Sequence, residues 1–343
     1  MFQKKTILNS QGQPIVLNHQ EAKASLHWER HCNALGFEID VTTLTTIMKK
    51  ITEQKFFQIA PADFMPIRVG EGAWSSVLET YRSFSTGGDF ETGMLNMGSG
   101  DSRLASADAG VDSVPVQVKN WAKTIGWTLF EVQQASKSGN WDIVTAKESS
   151  RKRNWDLGIQ KVAFTGLATG SVEGLLNMTG VTNNTALITK TLSSMSASEL
   201  NAVLAGILAA FRTNCANTAW PSHFLIPESD FLGLAIPTSA DYPLKSKLGL
   251  IAETLQIMTG NPDFKVLPCA YGNAGQYRDS TGANIRYALY NGVDEETIRM
   301  DIPVDYTNTI ANSVDNFKFQ NVGYGQFTGV VPYRPKEILY FTH

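Results

Sequence analysis

A chain of 343 residues exceeds what one hydrophobic core usually fills, so two or three cores are expected. Its 43% hydrophobic content excludes a chain disordered throughout, while 18% charged residues fall short of the ~25% usual for soluble domains, as expected if much of the surface ends against other protein. A formal net charge of −3 disfavours sequence-specific duplex binding, which draws on clustered Lys and Arg.

The opening Met1-Phe2-Gln3-Lys4-Lys5 lacks the apolar core of a secretion signal, and no run approaches the ~18 apolar residues that span a bilayer. Three widely spaced cysteines, Cys32, Cys215 and Cys269, point to reduced thiols rather than a disulfide framework. The expectation is a protein that is soluble and intracellular when made, with no membrane partner.

In chain order, residues 1–35 are polar, of mixed charge and without a sustained period, which reads as an arm. Leu44, Ile47, Met48 and Ile51 fall on one helical face and predict a helix from Val41 to Thr52. Phe56 to Pro61 then leads into the body. Two strand-like runs follow, Trp74–Phe84 and Val114–Leu129; in the second, Val114, Val116 and Val118 alternate, as do Ile125, Trp127 and Leu129. Between them Ser85–Ser113 is rich in Gly and Ser and carries Asp89, Glu91, Asp101, Asp108 and Asp112 against the single basic Arg103. Loops this long are usually functional or disordered, and an isolated two-stranded ribbon is marginally stable, so this arm is expected to need a partner surface.

A helix is predicted from about Asp142 to Thr165, capped at Asn140 and stopped at Gly166. Its second half carries an apolar stripe of Trp155, Ile159, Val162 and Ala163; its first half is polar and basic, with Lys147, Arg151, Lys152 and Arg153. Beyond it the pattern becomes α/β. Ser196-Ala197-Ser198-Glu199 is a capping box opening a helix with Leu200, Val203, Leu204, Ile207, Leu208 and Phe211 on one face. A strand Phe224–Ile226 runs into Pro227, and a second helix carries Leu244, Leu248, Ile251, Leu255 and Met258 before Gly260 and Pro262. Strands are predicted at Lys265–Cys269, Ile285–Tyr290 and Ile298–Val304, then a β-rich tail from Phe317 to Phe341 with turns at Gly323, Gly325 and Gly329.

Motifs of chemistry are weak. His27, His31 and Cys32 make a metal-like cluster, but Glu29 falls one place late for a zinc protease and no second ligand pair lies nearby. Ser149 and Lys152 have a Ser-x-x-Lys spacing without the other segments of that enzyme class. Gly323-x-Gly325-x-x-x-Gly329 misses the dinucleotide fingerprint by one residue and opens no helix, so turn glycines are the better account. No catalytic, cofactor-binding or metal-binding residue is therefore assigned. The basic run Arg151-Lys152-Arg153 fits intramolecular pairing, contact with another subunit's acidic arm, or phosphates.

The order of elements resembles the major capsid protein of tailed bacteriophages, in the α+β fold shared with encapsulins. The resemblance is carried by Trp127-Thr128-Leu129-Phe130-Glu131-Val132-Gln133-Gln134-Ala135, Ala163-Phe164-Thr165-Gly166, Gly174-Leu175-Leu176-Asn177 and Gly329-Val330-Val331-Pro332-Tyr333-Arg334-Pro335, and spans most of residues 38–343. It implies an N-terminal arm and first helix (1–55), an extended β-hairpin arm or E-loop within 56–128 with its tip at 85–113, a spine helix with part of a peripheral β-domain (129–179), an α/β axial domain (180–297) and a C-terminal β segment (298–343). It further implies a non-enzymatic subunit without cofactors that assembles with itself into hexamers and pentamers of an icosahedral shell around double-stranded DNA, with portal, scaffold or decoration proteins as further partners. A repeated contact of this kind needs complementary patches on every copy. Asp89, Glu91, Asp101, Asp108 and Asp112 on the arm, and Arg151, Lys152 and Arg153 on the spine, are the expected pair. An encapsulin-like compartment, an α/β enzyme and a tail-tube protein are the alternatives.

Overall fold

The computed structural model describes residues 57–86, 108–139, 142–167, 172–237, 245–277, 284–315 and 317–343, together with the backbone of 5–8 and 14–17. In chain order the elements are β1 (Lys5–Leu8), β2 (Pro14–Leu17), β3 (Ile67–Val69), β4 (Val77–Thr86), β5 (Asp108–Gln117), β6 (Lys119–Thr128), α1 (Leu129–Gly139) and α2 (Ile143–Thr165). There follow β7 (Thr182–Asn184), α3 (Ala197–Asn214), β8 (His223–Pro227), α4 (Lys247–Thr259), β9 (Lys265–Cys269) and β10 (Arg286–Tyr290). The chain closes with β11 (Ile298–Ile302), β12 (Val304–Asn308), β13 (Asn312–Ser313), β14 (Lys318–Phe327), β15 (Val330–Pro332) and β16 (Ile338–Thr342). The result is the α+β class expected, divided into two compact units: one contains Ile125–Ser150 and Ala311–Asn321, the other Gln58–Thr124, Arg151–Ile310 and Val322–His343.

The larger unit is organised by a five-stranded sheet of order β7-β16-β10-β8-β9. Every residue of β8 and β16, and β10 from Tyr287 on, is buried, because both faces of the sheet are covered. Successive side chains point to opposite faces, so the strands feed two cores at once. Leu225, Ala288, Tyr290, Ile338 and Tyr340 join Trp155, Ile159, Val162 and Ala163 of α2 on one side. Phe224, Ile226, Tyr287, Leu289, Leu339 and Phe341 meet α3 and α4 on the other, through Leu204, Ile207, Phe211, Ile251 and Leu255. The capping box of α3 is present, with the Ser196 hydroxyl accepting from Glu199 N and the Glu199 carboxylate accepting from Ser196 N.

On β14 the helix α2 lies very close. A Cβ on Gly323 would stand 2.6 Å from Arg151 Nε, and one on Gly325 would stand 2.5 Å from the Trp155 ring. These are therefore glycines of a strand interior that admit a helix, and not the turn glycines expected.

In the smaller unit, α1 opens with a reciprocal cap: Glu131 N donates to Thr128 Oγ1 and Thr128 N donates to Glu131 Oε2. Lys147 Nζ donates to Glu131 Oε2 (3.0 Å) and Gly126 O (2.9 Å), and this bond to Lys147 chiefly holds the Glu131 carboxyl below its ordinary range. Trp127 stacks on Phe319, and Phe130 meets Phe317 edge-on.

Several boundaries differ from expectation. The second strand-like run is two strands parted at Val118, followed by a helix from Leu129; its alternation changes phase, from even positions at 114–118 to odd positions at 125–129, which marks the break. Pro303, which cannot donate to a ladder, divides Ile298–Val304 into β11 and β12. Asp142 caps α2, accepting from Val144 N and Thr145 N; the expected cap Asn140 lies outside the described residues. Gly166, with φ +64°, ends α2 as expected. Met258 is exposed at the end of α4, whose buried stripe is Ile251 and Leu255. The ladder takes in Ser85, Thr86 and 108–113, so the span between the arm strands is shorter than 85–113. The helix expected at 41–52 and the cluster His27, His31 and Cys32 lie outside the described residues. Residues 5–8 and 14–17 pair as two antiparallel strands, β1 against β2, within the arm, whose sequence has no sustained period.

Two predictions follow from the packing. Gly325→Ala drives a methyl into the buried Trp155 ring and is expected to cost about 1–3 kcal/mol, whereas Gly158→Ala, where a Cβ meets nothing within 4 Å, is expected to stabilise by up to about 1 kcal/mol. Denaturant unfolding of both variants checks the contrast, and equal effects would contradict the close approach of α2 to β14. The second concerns His223, buried at the start of β8, with its Nδ1 2.8 Å from Ser222 Oγ and its ring stacked on Tyr290. Burial, reinforced by the Lys265 charge, pushes its pKa down from 6.5 to about 4. Its contribution is therefore complete above pH 6.5 and declines as the pH falls towards 4, because there the unfolded chain binds a proton that the folded one refuses. The slope is about 1.4 kcal/mol per pH unit. Stability of His223→Gln measured across that window should decline less steeply than that of the natural chain.

Candidate intersubunit surface

Strands β4 and β5 form a two-stranded antiparallel sheet of their own, in register from Val77↔Gln117 to Thr86↔Asp108. Alternation gives the ribbon two faces. Leu78 and Thr80, opposite Val116 and Val114, share the face that meets the body: Val116 is buried, and Leu78, Thr80 and Val114 are half-buried. The other face carries Val77, Tyr81 and Val111, which are 41%, 67% and 68% exposed. By the register, exposed Glu79, Ser83 and Ser113 share this face with them.

The root of the ribbon is fastened by a polar network. Arg299 donates to Tyr333 OH (2.8 Å) and Thr80 Oγ1 (3.3 Å), and Arg82 donates to the Tyr333 carbonyl. Arg299 also pairs with Asp301 at 3.0 Å, both nearly buried. Burial pushes the Asp301 carboxyl up and Arg299 pulls it back. Beside it Arg68 pairs with Glu71 (2.6 Å) and Glu295 (2.9 Å), and Arg334 pairs with Asp294 (2.9 Å) and Glu296. Exposed pairs like these contribute little to stability, about 0–1 kcal/mol each.

Between β3 and β4 the chain makes a tight turn that ends at Trp74. This residue has φ +65° and is 70% exposed. A bulky side chain in the left-handed region costs on the order of 1–3 kcal/mol and persists only when its surroundings impose it. Here Trp74 N donates to Gln326 Oε1 (2.8 Å), and the buried Gln326 side chain is held in turn by Asn120 Oδ1 (2.7 Å). The indole leans on Tyr324, with ring centres 5.8 Å apart.

The sequence-predicted contact residues fall into three groups. Asp89, Glu91 and Asp101 lie outside the described residues, and of Asp108 the backbone alone is described, at the start of β5. Asp112 is exposed and faces Arg82 across the ribbon at 2.8 Å. Of the basic run, Lys152 is exposed and Arg153 half-buried. Arg151 is 2% exposed and donates to Tyr306 OH (2.8 Å), Asn308 Oδ1 (3.0 Å) and the Lys123 carbonyl. Its burial removes Arg151 from the surface set; it is a packing residue. No charge pattern separates it from its neighbours in the sequence, although Gly323 and Gly325 mark the strand that covers it. The sequence pattern places Trp74 only at the start of a strand, since a positive φ leaves no trace in composition.

A cavity of about 550 Å³ opens beside α2, lined by apolar Trp121, Trp155, Ile159 and Phe327 with Asn154 and Lys161 at its polar side. Among the described residues lining it there is no carboxylate, imidazole or thiol. Ser149 and Lys152 are exposed on α2. Among the described residues, no group of three or more His, Cys, Asp or Glu side chains could hold a metal ion, and no helix is long and apolar enough to cross a membrane.

The described residues thus present two packed cores, a fastened ribbon and a long helix. Comparison with known proteins places this layout in a family. Residues 96–343 match the family model described as major capsid protein, and the chain belongs to that family: it is a shell-forming subunit, a component of the virion that associates with its own kind. Its fold is that of tailed-phage capsid subunits. The capsid of the Myoviridae phage XM1 superposes with a TM-score of 0.72 at 16% identity, covering 90% of this chain and 99% of that one. The capsid of the native GTA particle gives 0.56 at 11% identity, covering 87% and 95%. The structure titled Mycobacterium phage Ogopogo gives 0.54 at 11% identity, covering 87% and 96%. No curated protein matches the sequence.

The network at the ribbon root supplies a test. Arg299→Met leaves Asp301 buried without its cation and releases Thr80, and it is expected to cost about 3–5 kcal/mol in denaturant unfolding. A change below about 1 kcal/mol would mean that the network does not fasten the ribbon.

Proposed function

We propose that this chain builds the icosahedral shell of a tailed phage as hexamers and pentamers enclosing double-stranded DNA, with the β4–β5 ribbon of each copy laid across its neighbour. The observation that carries this reading is the ribbon itself: two strands fastened at the root, with Val77, Tyr81 and Val111 exposed on the far face. A two-stranded ribbon is marginal alone, and burial of that face on a neighbour would stabilise it at roughly 25 cal/mol per Å² of apolar surface. Acidic Asp89, Glu91, Asp101, Asp108 and Asp112 steer the arm towards Lys152 and Arg153 of the neighbouring copy. Asp112, already paired with Arg82, contributes least. Charge of this kind sets register and approach more than affinity.

In this reading residues 1–55 are the N-terminal arm and first helix, 56–128 carry the E-loop, 129–179 the spine helix with part of the peripheral domain, 180–297 the axial domain and 298–343 the returning β segment. The two-core arrangement around the five-stranded sheet supports a rigid axial body. The protein is structural and not an enzyme, is made in the cytoplasm of the host bacterium, and meets the packaged DNA without sequence preference. Portal, scaffold and decoration proteins are its further partners.

Removing 87–107, or replacing Tyr81 and Val111 together with Asp, is expected to leave a folded, soluble subunit that fails to form closed particles in electron microscopy. Particles of normal size and stability from either variant would overturn the role given to the ribbon.

A further inference from the structure

We infer that Trp74 is the anchor by which the ribbon root seizes a second copy of this chain, and that its strained backbone is retained for that contact. The inference rests on the shell reading above and assigns a residue to it. Three observations converge. The left-handed conformation, φ +65°, is one that glycine adopts freely and a tryptophan does not. Such strain persists where the surroundings enforce it, and here they do: buried Gln326 accepts the Trp74 N–H and is braced by Asn120. The outcome of this enforcement is an indole that is 70% exposed and tilted against Tyr324.

Among the described residues, the ring contact of the Trp74 side chain is the one with Tyr324. A glycine at 74 would relieve the backbone and keep the hydrogen bond to Gln326, losing only the lean against Tyr324. A rigid, amphipathic aromatic held out into solvent is what an interface anchor requires, because few rotamers remain to be ordered on binding. The occupant is a neighbouring copy because the residue is continuous in the chain with the ribbon: β4 begins at Val77, on the face where Val77, Tyr81 and Val111 are exposed. Trp74 lies three residues before β4, where its N–H is held by Gln326 of β14. The same chain segment thus provides three exposed apolar side chains and, at its fixed end, one large aromatic.

Full-length Trp74→Gly and Trp74→Phe test this. Below the assembly concentration, Trp74→Gly is expected to melt at or above the temperature of the natural subunit, since the strain is gone. The concentration needed for shell formation should nevertheless rise at least tenfold, with Trp74→Phe in between. The blue shift of tryptophan emission on assembly should also shrink in Trp74→Phe. If Trp74→Gly assembles at the natural concentration, the anchor is refuted. If its melting temperature falls by several degrees and assembly declines in step, Trp74 is internal packing for Tyr324 and the inference is equally wrong. If the natural chain itself forms no particles, the shell reading fails, and this inference fails with it.

Discussion

The seat of α2 on β14 is the contact on which the rest of the larger unit depends. Residues one turn apart on a helix are separated by about 6 Å along its axis, and alternate residues on a strand by about 6.6–6.8 Å. Arg151 and Trp155 therefore meet Gly323 and Gly325 in step, and the missing side chains on the strand let the helix come within contact distance of its backbone. Arg151 fills that space with hydrogen bonds to Tyr306 and Asn308. Trp155 fills it with ring contacts to Trp121, Tyr306 and Phe327. Below them Ile159, Val162 and Ala163 enter the core of the five-stranded sheet. A helix with a weakly amphipathic sequence is thus held by shape at one end and by burial at the other.

From this seat the ribbon inherits a fixed root. Asn120 braces Gln326 of β14, and Gln326 in turn sets the backbone of Trp74. Arg299 of β11 holds Thr80 and Tyr333. Rigidity at the root and an uncovered face beyond it are the two properties that a subunit joining a lattice needs. The root limits the entropy lost when a neighbour is met, and the face supplies area to bury. The buried arginine and the exposed lysine at 151 and 152 illustrate how finely that division runs along one helix.

Most of the architecture was legible in the chain because it is written in periodicity. The α3 stripe of Leu200, Leu204, Ile207, Leu208 and Phe211 and its capping box are local patterns, and β9 appears at Lys265–Cys269 as expected. Legibility failed where a local pattern has two physical readings. Gly323 and Gly325 suit a turn or a close approach, and only the presence of Arg151 and Trp155 above them decides between the two. A basic residue at 151 suits water or a buried polar pocket, and the pocket is assembled from β12 and β14, more than 150 residues away. Thr128 and Glu131 did carry a signal for α1, the Thr-x-x-Glu cap, and the phase change after Val118 marked the strand break. The surface proposed for neighbours was least legible, because the strain at Trp74 is a property of φ and leaves no mark on residue type.

Hydrogen exchange of free and assembled subunits, followed residue by residue, tests the central claim most directly. The account predicts that amides of β8, β10, β16 and α2 are strongly protected in both states. Those of β4 and β5 beyond the root should exchange quickly in the free subunit and become protected only in particles. Equal, strong protection of the ribbon in the free subunit would show that it is complete without neighbours, and would contradict the account.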